Sequence, residues 1–163
     1  MRISNKYVYF WSGLFSNFYP SKFEIGGLTF ENNEQYFMWM KALMFNDSEI
    51  MKLIYTAGSD PSYARQLGRR VSNYNDEVWS KVRYNIMRNG LYNKFSQNKK
   101  LRDEILSKKY EGKHFVEASP IDGIWGIKCN ENEALDDQSN WNGQNLLGKA
   151  LDEVREELLK IKK

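Results

Sequence analysis

The sequence predicts an α+β fold, a compact single domain over residues 1–163 that is mostly helical around a small β-sheet. Three observations support this prediction. Long stretches carry apolar residues at helical spacing, short stretches alternate in polarity, and no repeat, low-complexity tract or linker divides the chain. Hydrophobic residues make up 41% and charged residues 28% of the chain, so one domain of this length can bury a core.

The predicted strands are short. The polar, acidic segment 130–142 is expected to be a surface loop rather than a strand. Alternating polarity or paired glycines predict strands at Tyr7–Phe10, Lys22–Phe30 (a hairpin that turns at Gly26-Gly27), Lys113–Ala118 and, as a further candidate, Gly123–Ile127.

The predicted helices carry most of the regular structure. The last one is the clearest, because apolar residues from Leu147 to Ile161 form a single stripe opposite charged residues. Helical spacing predicts the other helices at Asn33–Phe45, Pro61–Arg70, Asp76–Phe95 and Asn98–Lys108.

Cysteine and histidine content restricts the chemistry. Cys129 is the one cysteine and His114 the one histidine, so an internal disulfide and a multi-Cys/His zinc site are both excluded. We interpret His114, within an alternating strand, as structural. The lone thiol favours a reducing compartment.

Charge and hydropathy restrict the partners. The formal net charge of +3 does not by itself identify a nucleic-acid-binding protein. The first residues lack the apolar region of a signal peptide, and no apolar run approaches the ~20 residues of a membrane span. We therefore expect a cytoplasmic protein without a membrane partner. The composition does not predict the oligomeric state.

Two charged residues interrupt the most apolar predicted helix. Glu34 and Lys41 are seven residues apart, which places them within about 20° of the same direction and about 10 Å apart along the axis. They are too far apart to neutralise each other directly, and a buried charge without a partner is costly. Each side chain therefore faces either a structural ion-pair partner or a polar pocket that uses a carboxylate and an amine.

A second candidate site follows the Lys113–Ala118 strand. Asp122, Trp125 and Gly126 combine a carboxylate, a ring and a position where backbone can approach a ligand closely. The alternative is an Asp-Gly turn beside a core tryptophan.

Three further segments offer polar groups to a ligand. Asn145 precedes the last helix, whose N-terminus suits a phosphate, although simple N-capping explains it equally well. Arg69 ends a short helix and is a candidate phosphate ligand or an exposed side chain. The aromatic loop 13–20, with Ser16 and Asn17, either lines a nucleobase pocket or closes one end of the core.

Taken together, these segments resemble the NADAR family, named for proposed NAD and ADP-ribose chemistry. The matching motifs occur in family order across nearly the whole chain, and the ordered set is specific although each fragment alone is weak. The motifs are Leu14-Phe15-Ser16-Asn17-Phe18-Tyr19-Pro20, Glu34-Gln35-Tyr36-Phe37 with Lys41, Leu67-Gly68-Arg69, Glu77-Val78-Trp79, Arg83 to Met87, Glu117-Ala118-Ser119-Pro120 with Asp122 and Trp125-Gly126, and Trp141-Asn142-Gly143-Gln144-Asn145-Leu146-Leu147-Gly148 with Arg155.

The resemblance implies an N-glycosidase with a compact α+β fold and no metal, and we expect no cofactor. Family members cleave riboflavin-pathway pyrimidine ribosyl phosphates or remove ADP-ribose from guanine, including guanine in ADP-ribosylated DNA. It implies the catalytic residues Glu34, Lys41 and Asp122. The substrate-binding residues that it implies are Ser16, Asn17, Arg69, Trp79, Trp125, Gly126 and Asn145.

Two reaction routes fit these residues. In direct hydrolysis, Glu34 or Asp122 activates water against ribose C1′. In the second route, Glu34 promotes ring opening and Lys41 forms a Schiff base, which requires the neutral amine that burial favours. The alternative function is a non-catalytic module that binds ADP-ribose or a related nucleotide.

The chain departs from the family pattern at two positions. Lys128 follows Trp-Gly-Ile where relatives commonly have glycine, and Asp152 stands in the last helix where many have methionine. The first change borders the predicted pocket and therefore bears on substrate choice.

Overall fold

A computed structural model describes residues 1–162. It confirms the α+β class. The strands are β1 (Arg2–Ile3), β2 (Tyr7–Phe10), β3 (Phe23–Ile25), β4 (Leu28–Phe30) and β5 (His114–Glu117). The α-helices are α1 (Asn33–Met44), α2 (Ser48–Ala57), α3 (Pro61–Gly68), α4 (Asp76–Gln97), α5 (Lys99–Ile105) and α6 (Leu146–Lys162). Within residues 1–162 no helix is long and apolar enough to cross a membrane.

The chain divides into two compact units. The first contains Met1–Ser16 and the chain from Lys99 onward, and the second contains Asn17–Asn98, which is inserted between β2 and β5 in the sequence. That the whole chain behaves as one domain stays a prediction, which a single cooperative calorimetric transition would support.

The first unit is built on a three-stranded sheet in the order β1-β2-β5. β1 and β2 are antiparallel, whereas β2 and β5 are parallel, with Val8 opposite Phe115. β2 is buried along its whole length, and α6 packs against β5. The predicted apolar stripe of α6 is buried from Leu147 to Leu158, whereas Ile161 at its end is exposed.

The second unit is organised around α1, which contacts α2, α3 and α4. Its N-terminal residues Asn33–Met38 are all buried, whereas Leu43 and Met44 near its end are exposed. Gly68 allows α3, and Gly90 allows α4, to approach α1 closely, because a Cβ at either position would collide with a side chain of α1.

Most predicted elements are confirmed within a few residues. The hairpin turns at Gly26 and Gly27, both with positive φ, as predicted. The helix predicted to Lys108 ends at Ile105, and a 3₁₀ turn follows at Lys108–Tyr110. Helix α2 was not predicted, although the N-cap Asp47 and the buried Ile50 and Ile54 mark it in the sequence.

The prediction of a strand at Gly123–Ile127 is wrong. Asp122 Oδ1 accepts the N–H groups of Ile124 and Trp125, at 2.9 and 2.8 Å, and this bends the chain into a turn. The five carbonyls of 123–127 then accept backbone N–H groups from segment 142–147. These hydrogen bonds pair the backbone carbonyls of segment 123–127, although the segment belongs to no β-sheet.

Candidate active site

Glu34 is fixed at the start of α1. The Asn32 side chain caps the helix by accepting the N–H of Gln35 at 2.8 Å. The Glu34 N–H donates to the carbonyl of Asn17 at 3.2 Å, and Glu34 is only 3% exposed. The loop before β3 and the first turn of α1 therefore hold this carboxylate in one place.

Asn33, the residue before Glu34, belongs to a buried polar cluster with Asn17. Asn33 Nδ2 donates to Asn17 Oδ1 at 2.8 Å, and both side-chain amides contact the sulfur of Met87 at 3.2 Å. Asn33 Oδ1 is buried and accepts no hydrogen bond from residues 1–162. Gly90 of α4 lies against this amide. Asn17, predicted to bind substrate, therefore also ties its loop to α1.

Arg65 of α3 is the ion-pair partner of Glu34. Its Nε donates to Glu34 Oε1 at 3.1 Å, and its guanidinium carbon lies 4.4 Å from the centroid of the Phe18 ring. The Glu34 side chain is 4% exposed and that of Arg65 is 43% exposed. A buried carboxylate thus meets a cation that reaches solvent, which satisfies the structural alternative for Glu34 without excluding a pocket.

Lys41 lies two turns further along α1 and is half-buried. Burial lowers the pKa of Lys41, the nearby Arg69 lowers it further, and Glu34 and Asp76 act in the opposite direction. Its Nζ lies 4.5 Å from the centroid of the Tyr74 ring. The net effect enriches the neutral amine, the form that attacks carbon.

Arg69 and Trp79 complete the predicted residues of the second unit. Arg69 caps the C-terminus of α3 and is exposed. Trp79 is 4% exposed and packs against Phe37 and Phe45, with ring centroids 5.1 and 6.5 Å apart. In this arrangement Trp79 supports the helix that carries Glu34 and Lys41.

The predicted residues of the first unit organise two turns. Besides bending the chain with Oδ1, Asp122 donates its N–H to Ser119 Oγ at 3.1 Å. Trp125 is half-buried and Gly126 is buried, and a Cβ at Gly126 would lie 2.8 Å from the carbonyl oxygen of Glu117. Ser16 is buried and donates its N–H to the carbonyl of Gly13 at 2.9 Å.

Asn145 links β5 to the start of α6. Its Oδ1 accepts the N–H of Glu117 and its Nδ2 donates to the carbonyl of Phe115, both at 3.0 Å. The residue has φ 53°, a left-handed conformation that asparagine tolerates well. Both atoms of the amide are therefore engaged by β5.

A cavity of about 360 Å³ opens in the first unit, lined in part by Tyr7, His114, Trp141 and Asn145. Asp152 borders it, with Oδ2 at 3.0 Å from His114 Nδ1 and with Oδ1 accepting the N–H of Phe115 at 2.9 Å. His114 is exposed but paired, so it has the structural partner expected from the sequence. Among residues 1–162, no cluster of three or more His, Cys, Asp or Glu side chains could hold a metal ion.

The predicted residues fall into two groups. The second unit holds Glu34, Lys41, Asn17, Arg69 and Trp79, and the first holds Ser16, Asp122, Trp125, Gly126 and Asn145. Sequence reasoning did not single out Arg65. Arg65 lies four residues before Arg69, one helical turn away, so the sequence could have indicated that both arginines lie on the same side of the chain at the end of α3.

Comparisons with known proteins agree with this architecture. A family model described as the NADAR domain matches residues 9–159. The NMR structure of the E. coli protein YbiA is similar with a TM-score of 0.78 at 29% identity, and the match covers 99% of this chain and 89% of that one.

Several relatives are named for their activity. An N-glycosidase of Acanthamoeba polyphaga mimivirus is 38% identical, over 94% of this chain and 97% of its own length. N-glycosidase YbiA of Shigella flexneri is 32% identical, over 90% and 81%. A riboflavin biosynthesis protein of Vibrio vulnificus is 29% identical over 90% of this chain and 35% of its own length. The chain belongs to the NADAR family and is an enzyme of the N-glycosidase class.

Proposed function

We propose that this N-glycosidase cleaves the bond between ribose C1′ and a base nitrogen in a 5′-phosphorylated N-riboside. The candidate substrates are ADP-ribosylated guanine, in nucleic acid or as a nucleotide, and pyrimidine ribosyl phosphates of the riboflavin pathway. The name of the Vibrio vulnificus relative supports the second class. The family resemblance supports both.

The observation that carries the proposal is the environment of Lys41. An amine with a lowered pKa lies on the same helix as a buried carboxylate that has an ion-pair partner. A nucleophilic amine must lose its proton before it can react, and at Lys41 both burial and the charge of Arg69 favour that loss.

In the proposed route, the neutral Lys41 amine attacks C1′ as the C1′–N bond breaks, and the base leaves with the electron pair. The proton that Nζ loses passes through solvent to the Glu34 carboxylate, and Glu34 gives it to the departing base. The ribose ring then opens at the C1′–O4′ bond as the Nζ lone pair forms the Schiff base, and O4′ takes a proton from a water molecule. The hydroxide left by this water adds to C1′, and its proton passes to Nζ as the C1′–Nζ bond breaks, which releases the free amine and the ribose phosphate.

Asp122 has a supporting part in this proposal. One carboxylate oxygen of Asp122 accepts two backbone N–H groups, so Asp122 stabilises the turn that contains Trp125. Glu34 is then the carboxylate that transfers the proton. In the direct alternative, Glu34 or Asp122 activates water and no covalent adduct forms.

Borohydride reduction during turnover tests the route. We expect a ribosyl adduct on Lys41 by peptide mass spectrometry, no adduct or activity in Lys41→Ala, and both retained in Lys52→Arg, which changes an exposed lysine of α2. Activity of Lys41→Arg without any adduct in the wild type would replace the Schiff base with direct hydrolysis.

The substrate is tested by offering an oligonucleotide with ADP-ribosylated guanine and a pyrimidine ribosyl 5-phosphate together. Loss of ADP-ribose from the oligonucleotide would identify an enzyme that reverses nucleic-acid ADP-ribosylation. Release of ribose 5-phosphate would identify a metabolite glycosidase. Binding of ADP-ribose with no cleavage of either would favour the non-catalytic module.

A further inference from the structure

Arg65 has more hydrogen-bonding capacity than its ion pair uses. A guanidinium carries five N–H donors in a planar fork. Only Nε is engaged, with Glu34, and neither terminal nitrogen of Arg65 has a hydrogen-bond partner among residues 1–162. With 43% of the side chain exposed, the terminal edge of the fork remains open to a ligand.

The orientation of this fork is fixed from two sides. The buried carboxylate of Glu34 holds Nε, and the Phe18 ring, with its centroid 4.4 Å from the guanidinium carbon, supports one face. Ion pairing and ring stacking both restrict the rotamers of a long side chain. Little conformational entropy is then lost when the open edge binds an anion.

We infer that Arg65 is the ligand of the substrate phosphate, held in place by Glu34 and Phe18. Paired terminal N–H groups match the oxygens of a phosphate in a bidentate arrangement, which a lysine cannot offer. The open edge is only two covalent bonds from Nε, so an anion bound there lies within one ribose unit of Glu34.

This inference rests on the proposed function and makes it more specific. It selects substrates with a phosphate on the ribose, whether a monophosphate or the diphosphate of ADP-ribose. It also reassigns the phosphate contact, which the sequence had suggested for Arg69, to the neighbouring turn of α3. The role left to Arg69 is to lower the pKa of Lys41 through its positive charge.

We call this arrangement of Arg65, Glu34 and Phe18 the phosphate clamp. Comparing the binding of ribose 5-phosphate with that of ribose tests the clamp without any need for turnover. We expect the wild type to bind ribose 5-phosphate about 10- to 100-fold more tightly than ribose, the range of one charge-assisted contact. Arg65→Met should abolish that preference. Arg70→Met, which removes an exposed arginine just beyond α3, should retain it.

Kinetics separate the clamp from a purely structural role. Loss of the Glu34 partner would lower kcat/KM equally for phosphorylated and dephosphorylated N-ribosides. Loss of the clamp lowers it selectively for the phosphorylated one. Arg65→Lys keeps a cation beside Glu34 without the fork, so it should lose the selectivity even if Arg65→Met folds poorly.

The outcomes distinguish this inference from the proposed function. If Arg65→Met or Arg65→Lys retains the preference for phosphate, the clamp is wrong. If the wild type cleaves phosphorylated and dephosphorylated substrates equally well, the clamp fails while the glycosidase proposal stands. If nothing is cleaved but ribose 5-phosphate binds through Arg65, the clamp stands and the proposed substrate class fails.

Discussion

The Lys41 Nζ lies 4.5 Å from the centroid of the Tyr74 ring. The Tyr74 hydroxyl in turn donates to Asp76 Oδ1 at 2.7 Å, which anchors the ring at the start of α4. A ring face attracts a cation and tolerates a neutral amine, so this contact accommodates Lys41 in either protonation state. The charges around the amine, above all Arg69, then influence which state dominates.

Arg69→Met should move the pH dependence of catalysis. Arg69 lowers the pKa of Lys41, so its removal raises that pKa and leaves less neutral amine at any given pH. The rising limb of kcat/KM against pH should therefore shift to higher pH, whereas in Arg70→Met it should stay in place. A raised KM with an unmoved limb would instead assign Arg69 to the substrate phosphate.

Gly90→Ala should destabilise the protein although alanine favours helices. The new Cβ would meet the Asn33 amide and the Tyr36 ring, and overpacking of this kind costs about 1–3 kcal/mol. Part of this cost is offset by about 1 kcal/mol of helix propensity. We expect a Tm lower by a few degrees, measured by calorimetry. Ser80→Ala, at an exposed position of α4, is the matched control, and an unchanged Tm in Gly90→Ala would contradict the close packing.

Asn145→Ala should lower the stability of the link between β5 and α6. It removes two hydrogen bonds and leaves the N–H of Glu117 and the carbonyl of Phe115 without this partner, at a cost of about 1–3 kcal/mol. Thermal melting measures this loss against the exposed Asn142→Ala. If Asn145 also contacts substrate, KM rises in the folded variant. A lowered Tm with unchanged KM would limit Asn145 to its structural role.

Lys128→Gly should stabilise the protein. Lys128 has φ 51°, a left-handed conformation that is unfavourable for a side chain with a Cβ. We expect a gain of up to about 1 kcal/mol in unfolding free energy by chemical denaturation. Lys128→Ala removes the charge and keeps the Cβ, so it should bring no gain. Equal stability of both variants would show that the conformation carries no strain.

Lys94 should make stability depend on pH. Burial lowers the pKa of Lys94 from 10.5 to about 7, so between these values the unfolded chain binds a proton that the folded protein lacks. In that window the Lys94 contribution to the unfolding free energy increases with pH, and below about pH 7 it stays at its lowest value.

Lys94→Met removes this contribution while keeping an unbranched side chain of similar length. The Tm of the variant minus that of the wild type should therefore decrease as pH rises from 7 to 9. Lys81→Met, which changes an exposed lysine of α4, should show a constant difference over the same range. A constant difference for Lys94→Met would refute the lowered pKa.

The sequence by itself determined the local features. Apolar periodicity defines α1 and α6, paired glycines define the turn between β3 and β4, and seven-residue spacing places Glu34 and Lys41 on one face. These features depend on residues that are close in the chain, so they can be derived without knowing how the elements pack.

Only the tertiary structure decided which groups meet. Arg65 pairs with Glu34 across 31 residues, and Asn33 contacts Met87 across 54. The segment 123–127 alternates like a strand, yet it bonds to the distant segment 142–147. A side chain's partner depends on the packing of elements remote in sequence, and the free energy of a polar group depends on whether that packing satisfies its hydrogen bonds.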